Sequence, residues 1–385
     1  MIETSKFKIL TISWDPTLAM DKPSFGDVQK RNIDYGKQVS AIHSITYSPK
    51  KLNLKQKQIS ENVVAYPTNS TSRIIFLIDA WRLAKKICLE NKIDLVLTQD
   101  PFLTGLVGSW VKKKFGCKLL IHYHGDFWQN ENWLKERWYN LAFYFIQRFV
   151  LRRADALRVM SGGQREKFLK TGWAPSRVRV ISTPIDLEKF KTNAYDGNKP
   201  NSKYVLHVGR NDIVKDYDTL VKAFDIVSNK VSNVFFLEFG GRDELIKAMD
   251  RQRDISLNVQ SIKAENQINH DELIKFYNMS DVLVLSSTSE SFGKVLVEAN
   301  ACGKPIVSTA TTGAKEIVKD GYNGFLVPIG DAKALADKIL ELLNNPELAE
   351  KMGVNGRTLV SERFDGRKNT ELIIRFWSDI INNNL

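Results

Sequence analysis

Short apolar runs return along the whole of this 385-residue chain, each followed by a longer stretch of helical periodicity. A strand that is apolar on both faces must be covered on both faces, and strand–helix alternation supplies that cover as helices on a parallel, doubly wound sheet. The expected strands of the first half are Ile9 to Ser13, Ala41 to Tyr47, Leu95 to Thr98, Leu119 to His122, Ala156 to Met160 and Val178 to Ile181. A second series runs through Tyr204 to Val208, Val234 to Phe239, Val282 to Leu285, Pro305 to Val307 and Gly324 to Val327. Residues 187–203, rich in Lys, Asn, Gly and Pro and without periodicity, read as a linker. The chain therefore reads as two α/β domains, 1–186 and 204–365, with a helical tail at 366–385 that packs back on the first. Ligands of such sheets bind outside the carboxyl ends of the strands, so function is expected in the loops that follow strands and in a cleft between the domains.

Composition removes several classes. No apolar run approaches the roughly 18 residues that span a bilayer, the longest being interrupted by Asp79 and by Gln147 and Arg148. The start, Lys6 to Ile12, reads as a first strand rather than a signal peptide, and a cytoplasmic protein is expected. Cys88, Cys117 and Cys302 are scattered, which suits neither a disulfide framework nor a metal cluster. The net charge of +12 is uneven: residues 1–200 hold 33 Lys and Arg against 18 Asp and Glu, residues 201–385 hold 23 against 26. An acidic partner should therefore meet the first half, nucleic acid and an anionic membrane being the two candidates.

The most informative stretch runs from Glu290 to Glu298. Asp281 to Leu285 reads as a strand and Val295 onward as a helix, so Ser291, Phe292, Gly293 and Lys294 open that helix and leave backbone amides free for an anion. Seven residues separate the two glutamates, placing one at the loop edge and the other about a turn inside the helix. One could hold a sugar and the other a ribose; a macrodipole-matched charge and an ordinary exposed helix residue form the competing reading.

Three further loops follow strands. Gly209-Arg210, with Lys215 before the next helix, offers two cations that suit a diphosphate and reads equally as a solvated turn. His124, just past the fourth strand, can donate to a substrate hydroxyl or shuttle a proton, whereas His122 is expected in the core and Asp126 as a helix cap. Gly26, after the first strand, could let backbone approach a phosphate or an acceptor. Between Phe127 and Arg153 lies a basic aromatic segment; Trp128, Trp133 and Trp138 are expected at a membrane interface and Phe143 to Phe149 in the core. Lys50-Lys51 and Lys112 to Lys114 add charge that steers toward the same surface.

Taken in order, Gly26, His124-Gly125, Arg153 to Asp155 with Ser161, Gly209-Arg210 with Lys215, Ser280-Asp281, and Glu290 with Glu298 resemble the retaining glycosyltransferases of family 4, also called glycosyl transferases group 1. The likeness spans the chain and is densest from Asp281 to Val327, including Gly303, Thr312-Gly313, Glu316 and Asn323-Gly324. It implies the GT-B fold, two Rossmann-like domains facing across a cleft, and transfer of a hexose from a UDP or GDP sugar with no metal or other cofactor. On that analogy Arg210 and Lys215 neutralise the diphosphate, Glu298 holds the ribose, and Glu290 with Ser291, Phe292, Gly293, Lys294 and Val295 holds the donor sugar and its phosphate. Gly26 and Gly209 belong to the same donor site, and His124 reaches the sugar from the other domain. The implied acceptor is a cell-surface glycan or a lipid-linked precursor, with peripheral association at the inner face of the plasma membrane and no nucleic acid.

Three departures stand out. Gly26 alone represents a double glycine, Asp216 stands where a glycine commonly follows the lysine, and Asp186 is what remains of an Asn-Gly motif at 182–186. Base selectivity is expected near Gly240-Gly241 and Val259 to Lys263. A nicotinamide dehydrogenase would share the sheets but needs Gly-x-Gly-x-x-Gly after a strand, which is lacking. A basic membrane- or nucleic-acid-binding protein without turnover is the remaining alternative.

Overall fold

The computed structural model describes residues 5–21, 28–190, 202–252, 262–265, 268 and 270–385. The chain divides into two compact units, Met1–Ser182 with Arg367–Leu385, and Thr183–Gly366. Gly26 and most of Val259 to Lys263 lie outside the described residues.

The first unit holds β1 (Ser5–Ser13), β2 (Val39–Thr46), β3 (Lys57–Ser60), β4 (Val63–Pro67), β5 (Leu95–Thr98), β6 (Lys118–Tyr123), β7 (Ala156–Val159) and β8 (Val178–Val180), in the spatial order β3-β4-β2-β1-β5-β6-β7-β8. Every pairing is parallel except β3 with β4 at the edge. The order runs outward in both directions from β1 and β5, which makes their carboxyl ends the switch point of this sheet. The second unit holds β9 (Lys203–Val208), β10 (Val234–Phe239), β11 (Ile262–Glu265), β12 (Val282–Leu285), β13 (Ile306–Thr309) and β14 (Gly324–Val327). Its sheet is parallel throughout, ordered β11-β10-β9-β12-β13-β14, with its switch point between β9 and β12.

An aspartate just ahead of a strand pins register three times. Asp94 accepts from the Lys8 amide (2.8 Å), Asp155 from Leu119 (2.8 Å) and Asp281 from Tyr204 (2.7 Å), each satisfying a strand-end donor that the ladder leaves over. Asp155 and Asp281, both part of the family-like pattern, thus act on the fold. The helix Gly366–Ile381 carries Ile373, Phe376, Trp377 and Ile380 on one face, buried with Ile9, Val39, Leu95 and Leu120 of the first unit.

The aromatic segment departs from expectation. Trp133 is buried and stacks on Phe102 (centroids 5.6 Å apart), and Trp128 is sandwiched by Phe168 and Tyr144. Phe145 and Phe149, expected inside, are exposed, and of the three tryptophans Trp138 alone stands free in solvent. Rings in a short, kinked connection can turn back to the sheet, and the helix Asn140–Leu151 then covers it with Val150, Leu151 and Gln147 instead. Among the described residues no helix is long and apolar enough to cross a membrane.

Candidate active site

The loops after β9 and β12 leave the second sheet on either side of its switch point. After β9, Gly209 donates its amide to Phe239 (2.9 Å), and a Cβ there would stand 2.8 Å from His207 and 3.3 Å from the Lys215 stem, so the tight turn excludes a side chain. Arg210 follows with an exposed guanidinium that has no ion-pair partner among the described residues. Asp212 opens the short helix Ile213–Lys215, and Asp216 ends it at φ +48°, the left-handed conformation that a glycine adopts freely. Asp216 holds that conformation by accepting from the amide (3.2 Å) and hydroxyl (2.6 Å) of Thr219, capping the helix Tyr217–Ser228.

Lys215 is therefore aimed back toward the sheet, and its ammonium donates to Glu290 Oε1; both side chains are nearly buried. Ser287 Oγ donates to the same Glu290 oxygen (3.1 Å). The β12 loop is stitched to its neighbours: Ser286 Oγ donates to the Lys215 carbonyl (2.7 Å), the Thr288 amide to Val214 (2.8 Å), and Thr309 Oγ1 to Ser287 (2.6 Å). The Gly313 amide donates to the Glu290 carbonyl (2.7 Å), and a Cβ on Gly313 would meet the Phe292 nitrogen at 2.5 Å. Nothing in the sequence marks Ser286, Ser287, Thr288 or Thr309 as part of a site, because short hydroxyl residues are common in loops.

The helix Lys294–Ala301 starts from Gly293 at φ +82°, with no side chain capping its first amides. The amides of Lys294 and Val295 are thus available to an anion, and the positive end of the helix favours one. Phe292 is buried against Phe364 and anchors the approach (5.5 Å). Glu298 is 3% exposed, unlike an ordinary surface helix residue, and its carboxylate accepts from the Tyr277 hydroxyl (2.9 Å) and pairs with Lys294 (3.4 Å). Burial, then the Glu298 charge, hold the Tyr277 phenol well above its usual pKa, so it remains a donor.

A third loop, after β10, closes around a buried cluster. Glu238 Oε1 accepts from the Gly241 amide (2.8 Å) and the Tyr217 hydroxyl (3.1 Å) and lies 3.6 Å from His207 Nδ1. Gly240 stands at φ +100° with its would-be Cβ 2.2 Å from the Gly209 carbonyl, so the β9 and β10 loops touch backbone to backbone. This cluster went unread in the sequence, where Glu238 and His207 alternate with apolar neighbours as ordinary strand residues.

In the first unit His124 follows β6 directly, at the carboxyl end of that strand. Desolvation by the surrounding protein, then the charges of Arg158 and Arg31, lower its pKa to about 3, so the imidazole is neutral. His122 is a core residue as expected, but its Nε2 has no hydrogen-bond partner among the described residues. Asp126 is not a cap: it pairs with Lys167 (2.8 Å), and Asn130 caps the helix Glu131–Glu136. Arg210, Lys215, Glu290, Glu298 and Gly209 belong to the second unit and His124 to the first. Among the described residues no group of three or more His, Cys, Asp or Glu is placed to hold a metal ion.

Two family models match the chain in tandem, Glycosyltransferase Family 4 over residues 39–189 and Glycosyl transferases group 1 over residues 189–359. An uncharacterized glycosyltransferase of Methanocaldococcus jannaschii is 29% identical over 341 residues, 85% of this chain and 86% of that one. Sucrose-phosphate synthase from Thermosynechococcus elongatus superposes with a TM-score of 0.83 at 22% identity, covering 98% of this chain and all of its own. HepE of Anabaena, in complex with UDP-glucose, superposes with a TM-score of 0.76 at 21% identity, covering 97% of this chain and 99% of its own. Both likenesses show the fold.

Proposed function

Because this chain belongs to glycosyltransferase family 4 and is a transferase of the GT-B fold, we propose that it moves a hexose, with retention and without a bound metal, from a UDP or GDP sugar. The proposed acceptor is a cell-surface glycan or lipid-linked precursor at the cytoplasmic face of the membrane. One observation carries the donor half: Arg210 and Lys215 on the loop after β9, and the uncapped amides after Gly293 on the loop after β12, flank the β9/β12 switch point, and Lys215 crosses it to Glu290. A leaving diphosphate bears at least two negative charges, and two cations with a helix N-terminus match its charge as a metal would.

Lys215 donates to Glu290. A donor phosphate competes for that ammonium, which frees a Glu290 oxygen for a sugar hydroxyl. Glu298, fixed by Tyr277, offers its Lys294-facing oxygen to a ribose hydroxyl. Neutral His124 is proposed to donate to a hydroxyl of the sugar. The acceptor hydroxyl attacks the anomeric carbon on the face from which the diphosphate leaves, its proton passing to a diphosphate oxygen, so no protein nucleophile is required. The UDP-glucose bound to HepE supports a nucleotide-sugar donor. The surplus of Lys and Arg in residues 1–200 supports an anionic membrane at the acceptor side.

The test is incubation with a panel of UDP, GDP and ADP sugars and measurement of nucleotide release. One donor should be hydrolysed slowly and Glu298→Gln should weaken its binding; no turnover of any donor, with Glu298→Gln unchanged in nucleotide affinity, overturns the reading.

A further inference from the structure

The helix Asn140–Leu151 and the residues ahead of it carry an exposed apolar row: Trp138 is 90% exposed, Leu141 58%, Phe145 61% and Phe149 40%. Leu141, Phe145 and Phe149, four residues apart, share one helix face, and Trp138 stands in the turn just ahead of it. At its far end come Arg148, Arg152 and Arg153, and the Arg153 guanidinium lies 3.5 Å from the Phe149 ring centroid. Large apolar groups in a contiguous row are costly to leave in water and mark a contact surface.

Beside the row opens a cavity of about 590 Å³ whose walls include Trp128, Tyr144, Trp173, Arg148, Arg152 and Arg177, and no acidic residue lines it. Arg177 is fixed by the carbonyl of Ala154 (2.6 Å) and lies 5.0 Å from the Trp173 ring centroid, and Arg148 reaches the Tyr144 hydroxyl (3.3 Å). Arg148 and Arg152 have no ion-pair partner among the described residues. Ala154 and Arg177 stand just ahead of β7 and β8, so this end of the cavity lies at the amino ends of those strands, opposite the end at which His124 emerges.

We propose that this face docks on an anionic bilayer, the apolar row entering the boundary between headgroups and acyl chains and the arginine-lined cavity seating the phosphate of an anionic lipid headgroup. The proposal rests on the membrane-side reading of the acceptor and adds the surface, its orientation and its ligand. Charge complementarity commits it to a lipid: three guanidiniums without a carboxylate call for a phosphate, and a soluble phosphate would fill the cavity yet leave four large side chains in water. The aromatic rings suit the interfacial depth, and the arginine stems reach from there toward phosphate.

Flotation with vesicles of phosphatidylcholine alone, and of phosphatidylcholine mixed with phosphatidylglycerol, tests it on the full chain. The wild type should float with the anionic vesicles only, and less at high salt. Arg148→Gln with Arg152→Gln should weaken flotation about 25-fold, taking about fivefold for each basic residue near an anionic surface. Leu141→Ser with Phe145→Ser should weaken it at least about tenfold. All four side chains are exposed, and tryptophan-fluorescence melting confirms that each variant is folded. Equal flotation on neutral vesicles, full retention by either double variant, or binding of inorganic phosphate by a protein that does not float overturns the proposal. Nucleotide release in lipid-free solution is read separately, so the docking surface and the transfer reaction fail or stand independently.

Discussion

The Lys215–Glu290 pair makes stability and catalysis respond differently to single changes. Lys215→Met keeps the apolar stem and removes the ammonium, leaving Glu290 with Ser287 Oγ as its remaining side-chain donor. Breaking a fully buried pair by removing one partner costs about 3–5 kcal/mol. Here the side chains retain 11% and 15% exposure. Partial hydration of the orphaned carboxylate brings the expected loss to about 2 kcal/mol. The kinetic loss is separate: one preorganised charge missing from the leaving group lowers kcat about 100- to 1000-fold. Arg210→Ala removes a cation of the same turn that has no ion-pair partner to orphan among the described residues, so it should share the kinetic loss while changing stability by less than about 0.5 kcal/mol.

The double variant Lys215→Met with Glu290→Gln removes the uncompensated charge and should recover at least half of the lost stability without recovering turnover. All eight tryptophans lie in the first unit, so melting of the second must be followed by circular dichroism or hydrogen exchange. Turnover is followed by nucleotide release. If Lys215→Met keeps kcat/KM within a few-fold of the wild type, the ammonium does not serve the leaving group. If the double variant melts no later than Lys215→Met, the pair is not what holds the Glu290 charge in the fold.

Other consequences are local. Burial, then the Arg158 charge, hold the His122 pKa well below that of an unfolded chain, so the unfolded state takes up a proton that the folded state refuses. The stability that this group supports is therefore full above about pH 6.5 and falls as the pH drops below it, and His122→Gln should flatten that slope in tryptophan-fluorescence urea melts. Gly240→Ala meets the Gly209 carbonyl at 2.2 Å and a φ of +100°, and should cost at least about 2 kcal/mol by circular dichroism together with donor affinity in a nucleotide-binding assay. Trp377→Ala, which empties the first unit's seat for the last helix, should cost about 3–5 kcal/mol in the melting of that unit.

Strand positions were legible where the sheet is buried on both faces, because Leu95 to Thr98 or Val282 to Leu285 can be nothing but interior strands. Two neighbouring strands at one side of the first sheet were not. Lys57–Ser60, at the edge, pairs on one side only and shows solvent a polar Lys-Gln, so it leaves no apolar run, and Val63–Pro67 beside it ends in a residue that argues against a strand. The aromatic segment misled for a related reason: composition shows that Trp128 to Phe149 is amphipathic but not which side turns inward. That choice is set by Phe102 and Phe168, which stand far off in sequence and stack on Trp133 and Trp128.

The proposed donor site divides along the same line. Charged groups and turn glycines announce themselves, because few other residues can stand at a phosphate or at φ +82°, and Arg210, Lys215, Glu290 and Gly293 were named from the sequence for that reason. What aims them was silent. Lys215 reaches Glu290 because Ser286 and Thr288 tie its loop to the β12 loop, and because Asp216 holds a left-handed backbone where the family-like pattern has a glycine. An aspartate there gives up free access to positive φ and recovers it through two bonds to Thr219, so the loop keeps its course at the cost of depending on the helix it caps. The lysine's direction is thereby coupled to the first turn of the helix Tyr217–Ser228, whose Tyr217 also closes over Glu238 beneath the β10 loop. The loops after β9 and β10 thus share one helix start, and a change in Thr219 or Tyr217 should be felt at Arg210 and Lys215 although neither residue carries charge.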